Sequence, residues 1–193
     1  MKYPHWQYYL SLVDDVDRLS RYVELATDNF ATYSVECTRI LLAAASEIYV
    51  VAKILCGQVS PGSDARSIVD YGEILLPNYP GLSNVEVTIP RCDLTFIPWR
   101  DWTMQQRPQW WQSYNNVKHE RHKYAGDANL GNSLKAVAGL CVLLSYLHYE
   151  DFIYKGLATR RPFFFLDRKY DSEAALVTCR RIALPDLARP ATH

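Results

Sequence analysis

Apolar residues recur at helical spacing over most of the first 150 positions, and this pattern predicts a mostly α protein. Between 5 and 26 one stripe is apolar and the opposite side is charged. Thr27–Asn29 is a helix-start signal, and the following run to about Cys56 is apolar on nearly all sides, which is typical of a central bundle helix. Three more helices are predicted, over 65–76, 108–123 and 133–149.

The pattern changes between the third and fourth predicted helices. Residues 84–98 alternate apolar and polar side chains around Pro90, which indicates an irregular hairpin. The aromatic loop 98–107 forms either a lid over the bundle or a surface on which bases stack. We therefore expect an antiparallel four- to five-helix bundle with a short β-hairpin-like insertion, about 77–107.

A basic appendage, about 155–193, follows the last predicted helix. Its apolar run Phe163–Leu166 is compatible with a strand, and 172–181 with one more short helix. The paired arginines of this region form either a phosphate-binding patch or a solvated surface. The 193 residues together are of the length expected for a single domain.

Charge and cysteine content limit the ligands and the cellular location that we expect for the protein. The 21 basic and 21 acidic residues cancel, so a nucleic-acid contact needs a local patch. The five cysteines show no metal-ligand spacing, and we expect no metal and no cofactor. The start does not resemble a signal peptide, and no uninterrupted apolar run reaches about 18 residues. We expect a reduced, cytoplasmic protein that does not enter membranes.

The stretch 108–123, PQWWQSYNNVKHERHK, combines aromatic and polar side chains more densely than the rest of the chain. On a helix, Trp110, Tyr114, Val117 and Arg121 form one stripe. The flanks carry Asn115, Asn116, Lys118, His119 and His122. Either the stripe is core and the flanks are only solvated, or the flanks are functional.

The central helix carries two carboxylates, Glu36 and Glu47, which lie three turns apart on nearly the same face. A buried carboxylate is costly unless it is partnered. They either form ion pairs within the bundle or at its rim, or face the polar residues of 108–123. We expect one of them to share a contact or a pocket with Asn115 and His119.

The motif YNNVKH, residues 114–119, resembles that of the HEPN family, the higher eukaryote and prokaryote nucleotide-binding helical bundles. The usual signature is an Arg, four to six residues and a His, often with a polar residue after the Arg. Asn115 and His119 match the second half, and Tyr114 stands at the Arg position. The resemblance covers about Asn29–Tyr149 in helix order and implies a single HEPN-like domain over 1–193.

The resemblance also implies function. It points to a protein that binds or cleaves RNA in a prokaryotic defence or toxin–antitoxin type system. Such a protein would be a homodimer paired through the 108–123 helix, with an antitoxin-type protein partner. The alternative is a non-catalytic helical bundle that serves as an interaction or nucleotide-binding module.

If the protein is an enzyme, the resemblance implies a metal-independent endoribonuclease with His119 as its acid–base residue. Asn115 and Tyr114 would then assist, and Lys118 or Arg121 would supply the cation that stabilises the phosphate. Replacing Tyr114 by Arg restores the family pattern and is expected to raise activity. The candidates for binding are Asn116, Glu36, Glu47 and His122.

Overall fold

The computed structural model describes residues 3–149, which contain five α-helices and one two-stranded hairpin. The expectation of a mostly α bundle with a hairpin insertion is confirmed. The strand and helix expected within 155–193 lie outside the described residues. The elements in chain order are α1 Pro4–Leu19, α2 Val35–Val59, α3 Ile68–Asn78, β1 Val87–Ile89, β2 Leu94–Phe96, α4 Gln109–Glu120 and α5 Leu130–Leu147.

The central helix α2 begins at Val35, later than the sequence predicted. Thr27–Asn29 forms only a short 3₁₀ turn. Ser34 is the true cap: its backbone is extended and its Oγ accepts a hydrogen bond from the amide of Cys37 at 3.0 Å. A serine in this position satisfies one of the free amides of the first turn, which fixes the start of the helix.

The helices α2 and α5 form the centre of the bundle and run in the same direction. Near their N-terminal ends, Oγ of Ser133 donates to the carbonyl of Cys37 at 2.9 Å. At the other end Tyr79 lies beside both helices: its ring centroid is 4.9 Å from that of Tyr146 in α5, and burial and, after it, the Cys56 thiol of α2 raise its pKa. Residues 60–129 provide the connection that a parallel pair requires.

The first helix runs antiparallel to α5. The ring of Tyr3, just before α1, lies 5.3 Å from that of His148, just after α5. Beyond α1 the chain reaches the opposite end of α5, where the carbonyl of Phe30 accepts a hydrogen bond from the amide of Gly131 at 3.1 Å. The stripe predicted for α1 is buried, so its charged side faces outward.

By length and composition, α2 and α5 are both long and apolar enough to cross a membrane. The most apolar 18-residue window of α5 is 83% buried inside the fold, as in the core helix of a bundle, whereas that of α2 is 50% buried. Core helices of soluble proteins pass the same test of length and composition.

The hairpin and the loop after it cover one side of the bundle. The strands pair antiparallel, with Val87 opposite Phe96 and Ile89 opposite Leu94, and these four side chains are buried. Asp93 takes the left-handed conformation, with φ of 51°, in the turn between the strands. The inward-facing apolar side chains attach the insertion to the core.

The loop after the hairpin is a lid and not a stacking surface, because both of its tryptophans are buried. The indole N–H of Trp99 donates to the carbonyl of Gly139 at 3.1 Å, and that of Trp102 to the carbonyl of Ile68 at 2.9 Å. Glycine makes room for them: a Cβ on Gly72 would lie 2.8 Å from Nε1 of Trp102. Two neutral donors are thereby buried without losing a hydrogen bond.

Candidate functional site

The fourth helix presents an aromatic side to the core. Trp110, Trp111, Tyr114 and Val117 are buried. Arg121, which the sequence placed on the same stripe, is exposed because α4 ends at Glu120 and the chain turns there. The two tryptophans of the helix through which the resemblance implies dimerisation are therefore core residues of the single chain.

Five aromatic rings in contact hold α4 in place, and we call them the aromatic row. Successive ring centroids are separated by 4.6, 5.2, 5.5 and 5.0 Å, mostly in edge-to-face contacts. Such contacts add to the stabilisation that burial provides. In order, the row consists of Trp102, Trp99, Trp110, Trp111 and Tyr114.

Tyr114 closes the aromatic row and is only 7% exposed. Its ring packs against Trp111, and Nζ of Lys118 lies 5.7 Å from its centroid, within the range of a cation–π contact. The HEPN resemblance places an Arg here, but the structure places an aromatic core residue.

The opposite side of α4 is polar and open. Lys118, His119, Arg121 and His122 are exposed, and Asn115 is half-buried. At 3.6 residues per turn, Asn115, Lys118 and His119 lie within about 100° of one another around the helix axis. We call these five residues the α4 polar face. Within residues 3–149, no hydrogen bond or ion pair engages the side chains of His119, Arg121 or His122.

Asn116 lies outside this face, and its side chain forms structural hydrogen bonds. Its Oδ1 accepts from Nε2 of Gln112 at 2.7 Å, and its Nδ2 donates to Oδ2 of Asp127 at 2.8 Å. The backbone carbonyl of Asp127 in turn accepts from Nδ2 of Asn132 at 2.9 Å. Asn116 thus ties α4 to the turn that precedes α5, and its amide is occupied.

The part that Asp127 plays in this network was not predicted from the sequence. Gln112 and Asn116 are four residues apart, so their contact is a regular helical pair. Asp127 lies beyond the end of α4, and only the turn between α4 and α5 brings its carboxylate back.

The two carboxylates of α2 find their partners away from the α4 polar face. Glu47 is bonded by His5 of α1, with 2.6 Å between Oε1 and Nδ1. Both oxygens of Glu36 accept from Nη1 of Arg39, at 2.9 and 2.7 Å, one turn along the same helix. The shared contact expected with Asn115 and His119 is therefore replaced by pairs within the bundle and at its rim.

The raised pKa values lie toward the C-terminal end of α2, where burial explains them. Burial raises the pKa of the Cys56 thiol to about 11. It also raises the pKa values of Tyr71 and Tyr79, with smaller contributions from Tyr49 and from Cys56 respectively. These groups are neutral at physiological pH and pack as core residues, so the shifts do not indicate a second site.

The described residues offer no metal centre: within 3–149, no group of three or more His, Cys, Asp or Glu side chains is placed to hold an ion. What the α4 polar face offers instead is two imidazoles, two cations and an amide. All of these groups can donate hydrogen bonds to an anion, and imidazole is the side chain most often used for general acid–base chemistry.

Comparisons of the chain with protein-family models, with characterised proteins and with solved structures found no match. The relationship of residues 114–119 to the HEPN motif stays a prediction.

Proposed function

We propose that the protein binds RNA through the α4 polar face. The observation that supports this most directly is the exposure of Lys118, His119, Arg121 and His122 within five residues of a chain whose formal net charge is zero. Because the chain as a whole exerts no attraction on a polyanion, a local cluster of this kind determines where one would bind.

The chemistry of the face suits single-stranded RNA. Lys118 and Arg121 can contact phosphates, and the Arg guanidinium can do so with two hydrogen bonds. The imidazoles and the amide of Asn115 can reach phosphates, 2′-hydroxyls or base edges, which are accessible in an unpaired strand.

The position of Tyr114 favours binding over cleavage. Cleavage of RNA requires a base for the 2′-hydroxyl and a donor or cation at the phosphate. The residue at the family's Arg position is buried against Trp111 and carries no positive charge. A binding module is therefore the better-supported alternative for this chain.

Metal-independent cleavage is the second candidate, and one observation favours it. His119 and His122 are three residues apart, both exposed, at the end of α4. Two imidazoles at this spacing can divide the work between a general base and a general acid. The homodimer, the antitoxin-type partner, the role in defence and the cytoplasmic location complete the proposal and are supported only by the HEPN resemblance.

Binding is tested by fluorescence anisotropy with labelled single-stranded RNA of mixed sequence. Lys118→Ala and Arg121→Ala should each weaken binding. Each should also reduce the slope of log affinity against log salt by about 0.7, the value expected for one lost phosphate contact. Lys53→Ala removes an exposed helical lysine from α2 and serves as the matched control. Equal affinities for Lys118→Ala and Lys53→Ala would contradict the proposal.

A further inference from the structure

One side of α2 is apolar and yet uncovered by the residues that the structure describes. Tyr49, Val50 and Ile54 are 38%, 41% and 36% exposed. They continue a strip with the exposed Ser46 and the partly buried Leu42 and Ala43, and we call these six residues the outer face of α2. The exposed Lys53 lies on the same side of the helix, between Tyr49 and Val50 around its axis. Apolar side chains that adjoin one another on one face of a 25-residue helix differ from the singly scattered apolar residues of an ordinary surface.

Two neighbouring elements border the outer face. On one side, Glu47 is held by His5 of α1. On the other side, the hydroxyl of Tyr49 donates to the carbonyl of Arg66 at 2.9 Å, and its ring lies 5.4 Å from that of Tyr71 in α3. The face is thus an open strip between α1 and the start of α3.

The chain leaves α5 close to this strip. His148, just after α5, packs against Tyr3, and Tyr3 is two residues before His5. His5 bonds Glu47, and Val50 is one helical turn beyond Glu47. A few side chains in contact therefore lead from the end of α5 to the edge of the outer face.

Residues 150–193 continue from this point, and they contain the most apolar run of that part of the chain, Phe163–Leu166. Extended, the connecting residues 150–162 can span roughly 40 Å. The whole of α2 is about 37 Å long. The apolar run can therefore reach any position on the outer face without leaving its own chain.

We propose that Phe163–Leu166 packs on the outer face of α2 of the same chain. Three phenylalanines and a leucine need an apolar surface, and the outer face needs apolar cover. A tethered segment competes at an effective concentration in the millimolar range, which favours it over a second copy or another protein. This contact does not depend on RNA binding by α4.

The test places the photo-crosslinking amino acid p-benzoylphenylalanine at Val50 of the full-length protein. We expect an adduct at the mass of one chain whose crosslinked peptide contains Phe163–Leu166. The matched control carries the same group at Tyr22, which is 86% exposed just after the end of α1. We expect no adduct with that segment from Tyr22.

A second variant controls for a structural effect of the crosslinking residue on α2. Phe164→Asp should reduce the yield of the Val50 adduct about tenfold, because a carboxylate replaces a ring at the contact. Tyr170→Asp changes an aromatic residue outside the segment and should leave the yield unchanged. An adduct at twice the chain mass, an adduct with another part of the chain, or no adduct would overturn the proposal.

Discussion

Nδ1 of His5 lies 2.6 Å from Oε1 of Glu47, and this contact joins the first turn of α1 to the middle of α2. Both side chains are largely withdrawn from water, with 24% and 16% of their surfaces exposed. A central helix with a carboxylate on its flank needs a partner for that group, and α1 supplies it from 42 residues away.

Replacing His5 by Ala should lower the free energy of unfolding by about 1–2 kcal/mol, because it leaves a half-buried carboxylate without its hydrogen bond. Urea denaturation measures the loss. Arg39→Ala is the control, since it removes the exposed partner of Glu36 and should cost less than about 0.5 kcal/mol. Equal losses in the two variants would show that the His5–Glu47 contact contributes no more than a surface pair.

Replacing Tyr114 by Arg should unfold the protein more easily and should not activate it. The substitution restores the family pattern, but it also places a charge at a site that is 7% exposed and packed against Trp111 at the end of the aromatic row. We expect a loss of about 3 kcal/mol or more. Tyr114→Phe keeps the ring and should cost less than about 1 kcal/mol. Thermal melting followed by circular dichroism separates the two outcomes, and a Tyr114→Arg variant as stable as wild type would contradict the burial.

The start of α3 should make stability depend on pH. Oδ2 of Asp70 accepts from the amides of Arg66 and Ser67 at 2.8 and 2.9 Å, and Oγ of Ser67 accepts from the amide of Asp70 at 3.2 Å. The hydrogen bond from Arg66, followed by that with Ser67, lowers the pKa of the Asp70 carboxyl below its value in the unfolded chain.

Because the folded pKa is the lower one, this stabilisation is complete above the unfolded pKa of about 3.9 and is lost as the pH falls through the folded pKa. Asp70→Asn should therefore be less stable than wild type at pH 6, by a few tenths to about 1 kcal/mol, and equally stable near about pH 2. Urea denaturation at the two pH values measures the difference. A difference that does not change with pH would mean that the charge of Asp70 plays no part.

If the protein cleaves RNA, His119→Ala should reduce the rate at least about 100-fold, the usual contribution of a general acid–base group. His122→Ala should reduce it comparably, and chelators should have no effect. The measurement is gel electrophoresis of labelled single-stranded RNA. His5→Ala, which changes an imidazole remote in sequence from α4, is the control. Cleavage that survives in His119→Ala would exclude this mechanism, and no cleavage by the wild type would leave binding as the function.

The periodic pattern along the chain predicted the bundle because α1 and α4 each bury one apolar side, although α5, predicted with a single core stripe, is buried on nearly all sides. The prediction was most accurate for α2, because residues that are apolar on nearly all sides indicated a central helix. It was also accurate for the break between the two strands at Pro90. It placed the start of α2 too early because the signal at Thr27–Asn29 competes with the cap at Ser34, and only the extended backbone of Ser34 decides between them.

The candidate site was harder to predict because side-chain contacts between distant segments determine it. The flank of α4 is polar and exposed at Lys118 and His119, but the contact expected between His119 and a carboxylate of α2 is not formed. The partner of Glu47 could not be identified, since the sequence near His5 carries no sign of a residue 42 positions later. The burial of Tyr114 likewise depends on Trp111 and on the loop that carries Trp99.

The parallel arrangement of α2 and α5 has a consequence for synthesis on the ribosome. The contact of Cys37 with Ser133 joins residues that are 96 positions apart, and α5 is the last of the described helices to be made. At about 5–20 residues per second, roughly 5 to 20 s pass between the two residues. During that time the side of α2 that packs against α5 lacks its partner helix, so the nascent chain exposes apolar surface to which chaperones can bind.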